Sequence, residues 1–123
     1  MPALICHWLF ADAALQAKSC PTFSAKERQF VYLGAQGPDP FYFNGQLPWA
    51  RHSKTATTSR AFAGLCHSSY PEFWLEPLLK GLKQAAIDLQ APAQALIYGF
   101  FLHYMLDRLA HPYVFSKSGF DAQ

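Results

Sequence analysis

Apolar positions along this chain recur at helical spacing, and no segment keeps the strict alternation of a half-buried strand. Ala (18 residues) and Leu (15) dominate, while Val and Ile together number five, a bias toward helix. The pattern predicts about five helices in an all-α bundle. The first covers Ile5 to Lys18 and ends at Ser-Cys-Pro-Thr. The second starts at Ser24-Ala-Lys-Glu27, a capping-box sequence, and runs to about Ala35. Gly37-Pro-Asp-Pro40 reads as forbidding helix, so Gly37 to about Ser53 becomes a long aromatic connection of the kind that carries function or mobility. The third helix fits Thr55 to about Ser68. The fourth fits Phe73 to Leu89, with Pro77 near its true start or kinking it. Pro92 suits the first residue of the fifth, which reaches about Ala110 and stops at Pro112.

A chain of 123 residues has room for one domain, and residues 1–123 are read as one. With 51% apolar and 16% aromatic residues, disorder is excluded. Only 15% of the residues are Asp, Glu, Lys or Arg, against about 25% in ordinary soluble domains. So sparse a charged surface implies that a partner covers part of it, as a second copy or a membrane surface in peripheral contact, or that part of the polypeptide is absent. The net charge of +2 gives no signal for nucleic-acid binding. Three cysteines without a CxxC pair suit a reducing compartment. No cationic leader precedes a long apolar run, and the most apolar stretch, Ala95 to Leu106, falls well short of the roughly 20 residues that span a bilayer. A cytoplasmic location is expected.

The chemistry concentrates in His103-Tyr-Met-Leu-Asp107-Arg-Leu-Ala-His111. Residues four apart on a helix share a stripe, so His103, Asp107 and His111 face one way among mostly apolar neighbours. Bare polar groups are costly in such surroundings, and a metal ion removes the cost by taking imidazole and carboxylate as ligands. The plainer alternative pairs Asp107 with His103 or Arg108 and leaves His111 at a helix end. His7, between Ile5 and Trp8-Leu9-Phe10, is either a ligand or a hydrogen-bonded core histidine. Asp39 is a ligand or a turn residue capping local backbone. His52, in Arg51-His-Ser-Lys54, is a ligand or an exposed loop histidine. His67, beside Cys66, has no partner at metal-ligand spacing and reads as an ordinary helix residue. The cysteines read as inert core.

Together these pieces resemble the zinc-dependent phospholipase C family, which is all-helical and related to fungal single-strand-specific nucleases. The resemblance rests on Met1-Pro-Ala-Leu-Ile-Cys-His7, Leu33-Gly-Ala-Gln-Gly-Pro-Asp39, the His52 block, and Gly99-Phe-Phe-Leu-His-Tyr-Met-Leu-Asp-Arg-Leu-Ala-His-Pro-Tyr113, in that order. It implies up to three zinc ions. Asp39, His52, His103 and Asp107 would surround one, Asp107 would bridge to a second also bound by His7, and His111 would belong to a third. A processed Pro2 amine could join His7. Asp39 would be a ligand and a candidate catalytic base. Loop aromatics Phe41, Tyr42, Phe43 and Trp49 either line the cleft mouth or pack across the helix ends. The family supplies a further His and Glu after the His-Pro-Tyr block, so the domain is expected to be incomplete at its C-terminus.

The expected function is zinc-dependent hydrolysis of phosphodiester bonds, phospholipid among the candidate substrates. The alternative is a truncated or non-catalytic helical domain that binds metal, a partner or a second copy of itself. An HD-type phosphohydrolase would need an adjacent His-Asp pair, which the chain lacks.

Overall fold

A computed structural model describes residues 4–46, 48–49 and 53–118. It is all-α, with six helices and no strand among the described residues. They are α1 (Leu4–Gln16), α2 (Ala25–Ala35), α3 (Asp39–Tyr42), α4 (Lys54–Ser68), α5 (Pro71–Gln84) and α6 (Ile87–Ser118).

Local rules set most of the boundaries. Ser24 accepts from the Glu27 backbone N–H at 3.2 Å while the Glu27 carboxylate accepts from the Ser24 N–H at 2.9 Å, so the capping box is complete at α2. Ser53 caps α4 through the Ala56 N–H at 3.1 Å. At the end of α2, Gly37 takes a left-handed φ of 58°, the usual conformation just past a helix terminus.

The prolines behave less simply than their sequence positions suggest. Gly37-Pro-Asp-Pro40 does not forbid helix: Pro38 caps α3 and Pro40 lies in its first turn. Backbone N–H groups there have no intrahelical partner, so a proline loses nothing. Pro77 lies inside α5. The predicted fourth helix breaks earlier than Leu89, at Ala85, and α6 starts at Ile87, so Pro92 falls in its second turn rather than at its first residue. Pro112 does not stop α6, which continues to Ser118. A proline there deletes one backbone bond and strains the turn before it, but each side of α6 keeps its own ladder.

The tightest helix pair is α2 against α6, with α1 laid on both. Its core is built from small and medium residues: Ala11, Leu15, Val31, Ala35, Ala95 and Leu102. Two glycines allow the close approach. A Cβ on Gly34 would run into the Leu96 carbonyl, and one on Gly99 into the Val31 carbonyl, so each helix presses its backbone into a notch in the other. On the far side, α3 packs on α4, and α5 bridges α4 and α6. Large apolar side chains remain exposed, notably Leu4, Ile5, Trp8 and Leu9 on the outward face of α1. No helix of the described residues is long and apolar enough to cross a membrane.

The notch gives a direct test. Gly99→Ala should destabilise the fold by at least about 2–3 kcal/mol, because the added methyl meets backbone rather than a movable side chain. Gly81→Ala, in α5 with open space around it, should instead stabilise by about 0.5–1 kcal/mol. Chemical denaturation of the two variants beside the parent chain measures both signs.

Candidate metal centre

Four helices bring histidines and aspartates to one place. His7 comes from the inner face of α1, Asp39 opens α3, His67 lies near the end of α4, and His103, Asp107 and His111 form a stripe on α6. His7, Asp39, His103 and Asp107 are all buried. His52 and Pro2 lie outside the described residues.

The two carboxylate oxygens of Asp107 face different groups. Oδ2 is 3.1 Å from His103 Nε2 and 3.4 Å from His67 Nε2. Asp39 Oδ1 closes the same set, 3.1 Å from His67 Nε2 and 3.7 Å from His103 Nε2. Oδ1 of Asp107 is 3.3 Å from His7 Nε2 and 3.5 Å from His111 Nε2. The His7 and His103 rings stack with centroids 4.0 Å apart.

These atoms fit a cation better than they fit one another. The separations in the Oδ2 set run from 3.1 to 3.7 Å. Tetrahedral ligands about 2.0–2.1 Å from a zinc ion lie about 3.3–3.4 Å from each other, so these four separations match edges of such a tetrahedron. Close as the pairs are, Nε2 of His7, His67 and His103 and Oδ1 of Asp39 and Asp107 make no directed hydrogen bond. Buried polar atoms left this way are costly, and a shared cation satisfies all of them together. Two triplets have ligand atoms close enough to hold one ion, His7 with His103 and Asp107, and Asp39 with His67 and His103.

Two of the other ring nitrogens are held from behind. His103 Nδ1 lies 3.0 Å from the Ala35 carbonyl at the end of α2, and His67 Nδ1 lies 2.8 Å from the Ala63 carbonyl one turn back on α4. A carbonyl only accepts, so each Nδ1 carries the proton and each Nε2 is turned to the cluster, the outer-shell pattern of metal-binding histidines. Tyr42 adds its hydroxyl 3.3 Å from His67 Nδ1. A Cβ on Gly37 would strike the His103 ring, so the glycine that ends α2 is required twice.

Without a metal the cluster is strongly polarised. Asp107 and then Asp39 beside it raise His67 from 6.5 to about 10, against the opposing effect of burial. Burial alone would raise the Asp107 carboxyl, but His103, His67 and His7 outweigh it and hold it below the usual carboxylate range. Burial pushes the Cys66 thiol up, in keeping with an inert core cysteine.

A cavity of about 310 Å³ opens onto the cluster. His67, His103, Asp107 and His111 line one part, and Trp74, Phe100, Tyr104 and Arg108 another. Its aromatic wall therefore comes from α5 and α6 rather than from the 41–49 connection. Phe41 instead packs edge-on against Phe62, and Trp49 is 79% exposed. Asp39 is 3% exposed and does not line the cavity, a position suited to a ligand more than to a base.

The structure thus brings together five of the six residues singled out from sequence: His7, Asp39, His103, Asp107 and His111. It adds His67, which stands beside Asp39, His103 and Asp107 where the resemblance would have put His52. One signal marked His67 in the sequence: it lies four residues after Ala63, on the inward face of α4 with Ala56 and Cys66. No protein-family model, curated protein or solved structure matches the chain.

The polarised cluster predicts a pH profile for the metal-free protein. The raised His67 stabilises the fold fully below about pH 6.5, and that contribution is lost as pH rises through about 10. The depressed Asp107 contributes above the ordinary carboxylate range, and that contribution is lost as pH falls through it and below. Thermal midpoints in chelator should therefore be highest between about pH 4 and 6.5, and His67→Gln should flatten the alkaline side.

Proposed function

We propose that this chain is a zinc-dependent hydrolase domain acting on phosphodiester bonds, of the phospholipase C type. The observation that carries the reading is the division of Asp107 between two ligand sets. Oδ2 joins Asp39, His67 and His103, and Oδ1 joins His7 and His111. Two triplets drawn from these residues, His7 with His103 and Asp107 and Asp39 with His67 and His103, are each close enough to hold one ion, and a cavity lies beside them. A divalent ion at such a site supplies Lewis acidity, polarising a phosphoryl oxygen and easing the ionisation of water near neutral pH.

The chain's own residues do the rest. Ala35 and Ala63 carbonyls hold the two Nδ1 protons, fixing the rings before any ligand arrives. Asp107 keeps the two sets at a fixed separation. Trp74, Phe100 and Tyr104 form a wall that limits the water reaching the reacting group.

A second reading has its own support. Leu4, Ile5, Trp8 and Leu9 leave the outer face of α1 apolar. In a non-catalytic metal-binding domain that face would dock on a second copy or a membrane surface, and the ion would act as folding energy.

Zinc-reconstituted protein should retain at least one ion per chain after washing and hydrolyse bis(4-nitrophenyl) phosphate. His103→Ala and Asp107→Ala should each lose more metal affinity than the about 10–100-fold typical of removing an outer-shell partner. Metal content below about a tenth of an equivalent in the parent chain overturns the reading, since a structural or catalytic zinc binds far more tightly than that. Full zinc without activity on phospholipid and nucleotide diesters moves the choice to the second reading.

A further inference from the structure

Arg108 follows Asp107 on α6 and is the single Lys or Arg among the residues lining the cavity. Its Nη1 donates to the Tyr104 hydroxyl at 3.1 Å. Among the described residues no carboxylate pairs with it. That is informative next to Asp107, which turns both oxygens to imidazoles and leaves none for its neighbour. A guanidinium carries five N–H donors in a rigid fork, and only one is engaged here, on a neutral oxygen. Tyr104 is itself braced against Trp74, with ring centroids 5.8 Å apart. Arg108 is exposed, so the fork stands at the rim of the cavity, and no carboxylate among the described residues cancels its charge.

We propose that Arg108 is the specificity-determining residue of the cavity, binding phosphoryl oxygens of the ligand from the rim through its free N–H groups. The inference rests on the reading of this cavity as a phosphodiester site. Two buried aspartates give the empty cluster negative charge, so Arg108 would find an anion only once cations occupy it. Occupied, the ligand sets and Arg108 present positive charge from two directions, which suits a tetrahedral anion. A guanidinium matches two phosphoryl oxygens at once, where an ammonium would act as a point charge.

The test is calorimetric titration of inorganic phosphate into the zinc-reconstituted full chain. Arg108→Gln should weaken phosphate binding about 10–100-fold, the range for a lost charged hydrogen bond. Arg108→Lys should fall between the two, keeping charge but not the fork. Zinc content and thermal midpoint should be equal in all three proteins. Equal phosphate affinity in Arg108→Gln and the parent chain overturns the proposal, as does loss of zinc from Arg108→Gln, which would place its action on the ligand sets instead. A parent chain that holds zinc but binds no phosphate overturns this proposal alone. A parent chain that holds no zinc overturns the metal centre and this proposal with it.

Discussion

The backbone contact between α2 and α6 is the constraint from which the centre follows. Gly34 and Gly99 lack the methyl that would hold the helices apart, so the two ladders touch. This brings the last carbonyls of α2 within reach of α6 side chains, and Ala35 accepts from His103. Gly37 then covers the His103 ring while its left-handed φ turns the chain away. Two residues on, Asp39 enters the cluster at the head of α3. A spacing fixed by two absent methyl groups therefore sets the tautomer of one histidine, the shielding of its ring and the arrival of a carboxylate.

Such a centre is expensive for a small domain. Two carboxylates and several imidazoles are taken from water into a core in which half of the buried apolar residues are alanine. Ion pairing offsets part of that desolvation, and breaking one partner would leave a buried charge uncompensated. In the metal-free chain His67 carries the compensating proton. A cation would displace that proton from Nε2 and satisfy the same oxygens, so folding, metal uptake and pH are linked through one imidazole.

Legibility in the sequence followed the range of the interaction. The capping box at Ser24 and Glu27 and the stripe from His103 to His111 are local, and both were readable as spacings. The prolines misled because their cost depends on place: Pro40 sits where no N–H is needed, and Pro112 loses only one bond of a long ladder. His67 was hidden for the opposite reason. Its partners lie 28 and 36 or more residues away, and nothing in Leu-Cys-His-Ser states that α3 will lay Asp39 against the end of α4. Only the inward helical phase it shares with Ala63 marked it. The aromatic connection drew attention by composition, yet the cavity wall came from α5 and α6, where Trp74 and Phe100 meet across a helix pair.

The scarcity of charge takes a sharper form once the centre is located. Asp39 and Asp107 are two of only eight acidic residues, and both are buried, so the surface is poorer in charge than the composition suggests. Exposed apolar side chains occur on every long helix, and on α1 they form the outer face of Leu4, Ile5, Trp8 and Leu9. The inner face of the same helix supplies His7. Among the ligand sets, His7 is the one member that rests on α1; Asp39, His67 and His103 stand on α3, α4 and α6. His7 touches both sets, through Asp107 Oδ1 at 3.3 Å and by stacking on the His103 ring, so whatever steadies α1 bears on the whole centre.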